Sequence, residues 1–278
     1  MARQNNNAIK RGGFSSNFGV LAATLGSAVG LGNIWKFPYL TGANGGAGFL
    51  LIYLMATLVI GLPVMIAEIT IGRHTKANPI TALKKLSPKG QPWWLLGVAG
   101  MFAAFLILSF YSEVVAWIFA YVFKAFSGSI LSSDRRIPMG QVLMITFFVL
   151  AAVAATGAML SLMEVPVVIL HERFALSRPK ATLITITGLM LIGSSCALTN
   201  NVLANFKLFG LNMFDLFDFV SSNLLLPIGG ILIALFVGWV WGIEKFTKAL
   251  SNDGELPNAR MAHAVFFLLR YPSDRDAQ

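Results

Sequence analysis

Cysteine, charge and histidine are all scarce in this sequence of 278 residues. The single cysteine, Cys196, excludes an internal disulfide and forms no metal-binding cluster. Charged residues make up 12% of the chain, about half the share of an average soluble domain. The three histidines, His74, His171 and His263, lie far apart in polar flanks. These absences argue against a disulfide-stabilised secreted domain and against a transition-metal protein.

Long apolar runs are what the sequence has instead. Hydrophobic residues make up 56% of the chain, and the mean hydropathy is +0.72. Runs of about 18–20 residues or more are long enough to cross a bilayer. We therefore predict six membrane-spanning helices, at residues 14–40, 48–71, 94–123, 141–170, 181–198 and 219–241. A shorter apolar stretch at 259–269 predicts either an interfacial helix or the start of a seventh span.

The net charge of +9 is distributed unevenly over the connections between these spans. Of the 21 Lys and Arg residues, 16 fall before the first span, at 72–92, at 171–180 and after residue 242. The other set of connections carries five. Because basic connections stay in the cytoplasm, we predict that both termini are cytoplasmic. The basic residues do not form the clustered face of a nucleic-acid-binding domain, so we expect no nucleic-acid partner.

The first span contains a sequence that disfavours a continuous helix. Gly26, Gly30 and Gly32 weaken the helix, and Asn33 places an amide directly after them. Inside a membrane, free backbone groups are tolerated only beside protein or a wet cavity, where they can bind an ion or a carboxylate. The same small-residue spacing also suits plain helix–helix packing. From these residues alone, packing and binding both remain possible.

Several ionisable or hydroxyl side chains lie inside or at the ends of the predicted spans. Glu68, Tyr111 and Glu113 lie within spans two and three, where polar groups need partners. For each of them a structural and a functional role are both open. Asp215 and Asp218 lie three residues apart at the start of span six, on one helix face. Lys36 at the end of span one is a candidate ion-pair partner for one of them.

Three segments carry a family resemblance: 26–39 (GSAVGLGNIWKFPY), 44–48 (NGGAG) and 68–73 (EITIGR). They resemble the bacterial sodium-dependent amino-acid transporter branch of the sodium:neurotransmitter symporter family. Spans one to three match the family's helices 1–3, and residues 138–172, 176 onward and 214–238 resemble its helices 8, 9 and 10. The resemblance implies an all-α polytopic membrane protein with a partial inverted-repeat, leucine-transporter-like fold. Family helices 4–7 are missing, which we interpret as an internal deletion.

This resemblance divides the chain into four segments. Residues 1–126 would correspond to family helices 1–3, with the break in helix 1 at 26–33. Residues 127–140 would form an extracellular linker at the deletion. Residues 141–243 would correspond to helices 8–10, and 244–278 to a cytoplasmic loop followed by a short remnant of helix 11.

The resemblance also implies a set of site residues. Those matching the substrate pocket are Ala28, Leu31, Gly32, Ile107, Tyr111 and Leu162. Those matching the first sodium site are Ala28 and Asn33, and those matching the second are Gly26, Val29 and Ala154. Lys36 with Asp218 and Arg11 with Glu172 match the outer and inner gate pairs.

The chain departs from the family pattern at the second sodium site. The two hydroxyl-bearing positions of that site are Gly157 and Ala158 here, and Thr156 is displaced by one residue, about 100° around the helix. The partner broken helix, the sixth, is among the missing helices. We therefore expect an incomplete site.

The functional expectation is a sodium-coupled symporter of neutral, apolar amino acids that does not transport as an isolated chain. The alternatives are a non-transporting, internally deleted paralogue and a small membrane partner or regulatory subunit. The resemblance implies no enzymatic activity and no organic cofactor, with sodium as the co-substrate. It places the protein in the bacterial inner membrane. The expected partners are the lipid bilayer and a small neutral amino acid, and a second copy of the chain or another membrane protein is a further candidate.

Overall fold

The computed structural model describes residues 28, 30, 32–130 and 139–270, and these fold into helices and turns. Eleven α-helices lie within the described ranges. They are α1 (Phe37–Ala43), α2 (Ala47–Ala56), α3 (Leu62–Thr75), α4 (Pro79–Leu86), α5 (Trp94–Phe126), α6 (Gly140–Phe174), α7 (Arg178–Ala197), α8 (Met213–Asp218), α9 (Leu226–Leu235), α10 (Ile243–Leu250) and α11 (Ala259–Arg270).

Wider π-helical turns connect several of these helices into longer rods. They are Gly32–Lys36, Thr57–Gly61, Phe219–Leu225 and Phe236–Trp241. Three of them directly precede a helix with proline in its first two positions: Pro38 in α1, Pro63 in α3 and Pro227 in α9. Proline has no N–H and its ring displaces the carbonyl four residues earlier, so the turn before it widens. The rods are therefore continuous across these prolines, with a local change of pitch.

Five segments within the described residues are long and apolar enough to cross a membrane. They are Ala47–Thr75, Trp94–Phe126, Gly140–Phe174, Arg178–Ala197 and Met213–Trp241. They coincide, within a few residues at each end, with the second to sixth spans predicted from the sequence. The first predicted span, 14–40, lies mostly outside the described residues, and its described end is helical from Gly32 to Ala43.

One packed unit is built from α5, α6 and α7. Val114, Val115 and Ile118 of α5 contact buried alanines of α6, and Ala155 is fully buried there. Small residues allow helices to approach closely, which is the main source of helix association in lipid. On the other side of α5, a Cβ added to Gly193 of α7 would lie 3.3 Å from the Ser109 carbonyl oxygen.

The second packed unit surrounds Phe236, which is fully buried. Residues of α3, α4, α9, α10 and α11 contribute to this core. The segment predicted at 259–269 is the helix α11, and its inner face buries Ala262, Val265, Phe266 and Leu269. It therefore packs against the bundle along its full length.

Two short helices were not expected from the sequence. Helix α4 lies in the basic connection after the second span, where Asn78 caps it by accepting a hydrogen bond from Thr81 N–H and Pro79 occupies the first turn. Helix α10 lies in the segment that the sequence suggested was a cytoplasmic loop, 244–278. Each is eight residues long and buries three apolar side chains. Such helices are held by packing rather than by hydropathy alone.

Candidate functional site

The chain leaves regular helical geometry at Gly30, where the sequence predicts a break. Ala28 is helical, Gly30 is not, and a π-helical turn begins at Gly32. The backbone N–H of Asn33 donates to the Gly30 carbonyl at 3.1 Å, a tighter closure than an α-helical turn. The predicted interruption in the first helix is therefore present within the described residues.

The Asn33 side chain reaches back across this break. Its Nδ2 donates to the Ala28 carbonyl oxygen at 2.8 Å, so the two groups predicted to bind the first sodium lie side by side. The nitrogen and oxygen of an asparagine amide exchange places on a half-turn of the side chain. That rotation would set two oxygens, hard ligands suited to an alkali or alkaline-earth cation, next to each other.

The other side of the break faces Tyr111 on α5 and Ala158 on α6. A Cβ added to Gly30 would lie 3.4 Å from the Ala158 Cβ and 3.7 Å from the Tyr111 hydroxyl. Among the described residues, nothing would lie within 4 Å of a Cβ added to Gly32. The Tyr111 hydroxyl thus lies against the break, and open space adjoins Gly32. Backbone N–H groups at a helix break together with a hydroxyl suit a carboxylate.

Two of the three remaining predicted pocket positions lie within the described residues. Ile107 on α5 and Leu162 on α6 are half-buried and belong to the helices that flank the break. Leu31 lies outside the described residues. The assignment of these positions to a substrate pocket stays a prediction.

The second sodium site has little oxygen chemistry on α6. Ala154 is half-buried, while Gly26 and Val29 lie outside the described residues. The nearby hydroxyl, Thr156 Oγ1, donates to the Ala152 carbonyl of its own helix at 2.8 Å. With Gly157 and Ala158 next in sequence, this face of α6 offers no side-chain hydroxyl in the two positions where the resemblance requires them.

Lys36 and Asp218 form the predicted ion pair. Lys36 Nζ donates to both carboxylate oxygens of Asp218, at 2.6 and 2.7 Å. Ser222 Oγ also donates to Asp218 Oδ1 at 2.8 Å and holds the carboxylate in place. The contact joins the end of the π-helical turn after the break to helix α8. Its role as an outer gate stays a prediction.

The inner pair is described on one side alone, because Arg11 lies outside the described residues. Glu172 on α6 accepts hydrogen bonds from the backbone N–H and the side-chain Nδ2 of Asn78, at 3.0 and 2.9 Å. The capping role of Asn78 was not predicted from the sequence, although an Asn–Pro pair before an apolar stretch is a known sign of a helix start. One residue therefore caps α4 and ties that helix to α6.

A second ion pair was also missed in the sequence. Arg178, at the start of α7, contacts Glu164 of α6 at 2.5 Å. Both side chains are about half exposed, so the pair contributes little to stability. Glu164 is thereby accounted for as a contact between neighbouring helices, and nothing places it beside the break.

Comparison with known proteins finds sequence similarity in the first part of the chain. Residues 11–133 match the sequence profile of the sodium:neurotransmitter symporter family. The "Uncharacterized sodium-dependent transporter YhdH" of Bacillus subtilis is 45% identical over 117 residues, which are 42% of this chain and 26% of that protein. The rat "Sodium-dependent neutral amino acid transporter B(0)AT2" is 32% identical over 117 residues, 42% of this chain and 16% of that protein. The chain thus matches about a quarter or less of the length of these relatives.

The whole fold matches a solved structure. The crystal structure of MhsT in complex with L-phenylalanine superimposes with a TM-score of 0.84 at 25% identity. The alignment extends over 95% of this chain and 97% of that one, so it includes the second half, beyond the reach of the sequence profile. The fold is that of a leucine-transporter-like, all-helical membrane protein.

Proposed function

Because residues 11–133 belong to the sodium:neurotransmitter symporter family, we propose that the chain carries part of a binding site for sodium and a neutral amino acid. We further propose that the isolated chain does not drive uptake. The observation that carries the proposal is the juxtaposition of Asn33 with the Ala28 carbonyl at 2.8 Å, on a helix break that faces Tyr111.

The substrate class follows from what the break offers. The Tyr111 hydroxyl beside Gly30 and the open space at Gly32 suit the carboxylate of an amino acid. Ile107 and Leu162 are apolar and half-buried, so they favour an aliphatic or aromatic side chain. The rat relative is named for neutral amino acids and the structural neighbour holds L-phenylalanine, which supports the same class.

The lack of transport follows from the number of ligands. A sodium ion stripped of water needs roughly five or six oxygens, because an undercompensated charge in an apolar region costs several kcal/mol. The described residues bring together two of them, the Ala28 carbonyl and the Asn33 amide. The second site lacks both hydroxyls on α6. Neither ion would be fully coordinated by this chain alone.

The test is uptake into liposomes. The purified chain is reconstituted with an inward sodium gradient, and labelled leucine, alanine or phenylalanine is supplied outside. We expect accumulation no greater than in empty liposomes. Gradient-driven uptake that disappears in Asn33→Ala, but persists in the control Asn44→Ala, would overturn the transport-deficient reading and establish a minimal transporter. Asn44 is a suitable control because its exposed amide donates only to Leu40 O, on α1.

The second candidate is a membrane partner or regulatory subunit. It is favoured by the span Ala47–Thr75, since only 6% of its most apolar 18 residues are buried within the chain. The part of this span from α2 to the π-helical turn Thr57–Gly61 has no buried residue, so its surface is available to another protein in the bilayer. Single-molecule photobleaching of the labelled chain in liposomes separates the cases: a second bleaching step indicates a dimer, and one step in every spot leaves lipid as the sole neighbour.

A further inference from the structure

A cavity of about 500 Å³ lies away from the helix break. Its walls come from α3, α4, the first third of α5 and the region of α9. It adjoins the end of the span Ala47–Thr75 that leads into the basic connection 72–92. Volumes of about 300–1,000 Å³ are those of small-molecule sites.

Three glycines with open space beside them line this cavity. They are Gly72, Gly100 and Gly229, and among the described residues nothing would lie within 4 Å of a Cβ added to any of them. Gly97, about one turn before Gly100, differs from these three because it is closely packed: a Cβ there would lie 2.7 Å from the backbone of Ile80. Helices α4 and α5 are therefore in tight contact at Gly97, and the cavity lies beside this contact.

Glu68 is the one ionisable residue among the described residues that line this cavity. All the others are apolar or glycine. Glu68 is exposed within this chain, and the described residues supply its carboxylate with no hydrogen bond and no ion pair, whereas Glu164, Glu172 and Asp218 each have a partner. A carboxylate in apolar surroundings is stabilised by a cation that brings its own hydrogen-bond donors.

We propose that this cavity binds a small primary ammonium compound with an apolar body, whose ammonium group pairs with Glu68. The apolar body would fill the space left by Gly100 and Gly229, and the ammonium would donate to the carboxylate. An anion would meet Glu68 unfavourably, and a purely apolar molecule would leave the carboxylate without a partner. The site is separate from the helix break and requires no sodium.

Isothermal titration of the full chain in a neutral detergent tests this. The probes are 2-phenylethylammonium chloride and its neutral isostere 2-phenylethanol, in sodium-free buffer. We expect the ammonium compound to bind at least about tenfold more tightly than the alcohol, since a hydrogen bond to a charged group is worth that much or more. Equal affinities, or no saturable binding of the ammonium compound, would overturn the proposal.

Three variants locate the site. Glu68→Gln keeps the shape and should remove the preference for the ammonium compound, while Gly100→Leu should weaken both probes. Glu113→Gln is the matched control, because Glu113 also has an oxygen without a hydrogen-bond partner but does not line the cavity. A preference that survives in Glu68→Gln contradicts the proposal. Thermal unfolding shows whether Glu68→Gln is folded. If it is not, the test depends on Gly100→Leu, and binding of both probes to that variant with unchanged affinity would contradict the proposal.

The outcome is independent of the proposed function. Asn33→Ala removes a ligand at the helix break and should leave binding of both probes unchanged. If Asn33→Ala abolishes the ammonium binding, the probe occupies the amino-acid site, and the cavity proposal fails while the proposed function is supported.

Discussion

The spans Trp94–Phe126 and Ala47–Thr75 are similarly long and apolar, yet they are packed very differently. Of the most apolar 18 residues in each, 39% are buried in the first and 6% in the second. Within the second span the difference is also internal: α2 and the π-helical turn Thr57–Gly61 have no buried residue, while α3 has four. Hydrophobicity alone therefore does not determine which helix becomes the centre of the bundle.

The difference has a physical cause in the residue types. In lipid, helices gain little from apolarity itself and associate through close packing. Helix α5 presents Ala103, Ala104 and Gly97 to its neighbours, and all three are buried. The first half of the second span, α2 with the turn Thr57–Gly61, presents large side chains outside the packed units, with Leu51 and Ile52 each more than 60% exposed. This half faces lipid or another protein.

The largest expected effect is in the labelling of the two ends of Trp94–Phe126, which tests whether this span crosses the membrane. If Trp94–Phe126 crosses the membrane, single cysteines at Ser87 and Ser133 lie on opposite sides. In a Cys196→Ala background, we expect Ser133→Cys to react with an impermeant maleimide in intact cells and Ser87→Cys to react only after permeabilisation. The charge distribution provides the reason. Ser133 lies outside the described residues, so the labelling depends on no described contact. Labelling of both from outside would contradict the six-span arrangement.

A matched pair of truncations measures the packing difference directly. Leu108 in α5 is fully buried, and Leu54 in α2 is 51% exposed. We expect Leu108→Ala to lower the free energy of unfolding by an amount near the lower end of about 2–5 kcal/mol, because the cavity remains even where lipid replaces water. Leu54→Ala should change it by less than about 0.5 kcal/mol.

The measurement is reversible denaturation in mixed micelles, followed by the circular dichroism of each variant. If the two substitutions lower the free energy of unfolding by similar amounts, helix α2 is packed against another molecule in the sample. A second copy of the chain would then be the first explanation to examine, by varying the protein concentration.

Much of the helical arrangement follows from the sequence, because a run of apolar residues is a direct consequence of crossing a bilayer. Five of the six predicted spans lie within the described residues and are helical there. Helix α4 could not be found by hydropathy, since its eight residues include two lysines and its stability depends on packing against α5. The sequence did contain its start, the Asn78–Pro79 pair, and a capping argument would have located it.

The site was predictable in part. Three glycines followed by asparagine indicate a break, and the Asn33 to Ala28 contact is local, five residues apart. The Lys36 to Asp218 pair joins residues 182 positions apart. Opposite charges at the span ends left two candidate aspartates, and the family resemblance singled out Asp218. The link between Asn78 and Glu172 depends on how α4 folds back on α6, which no spacing in the sequence encodes.

The smallest expected effect concerns the ion pair between Lys36 and Asp218. Lys36 and Asp218 hold the end of the first helix to α8 through two hydrogen bonds, but their side chains are 40% and 29% exposed. A double-mutant cycle with Lys36→Met and Asp218→Asn should give a coupling of about 0–1 kcal/mol, since water screens a partly exposed pair. Raising the salt concentration to 1 M, where the Debye length is about 3 Å, should reduce this coupling further.

The matched control is the double-mutant cycle of Lys124→Met with Asp218→Asn, because Lys124 lies over the Tyr121 ring and makes no ion pair with Asp218. The coupling energy of this control pair should be zero. A Lys36–Asp218 coupling well above about 1 kcal/mol that does not respond to salt would contradict this expectation. It would mean that the pair is shielded from water by a binding partner in the sample.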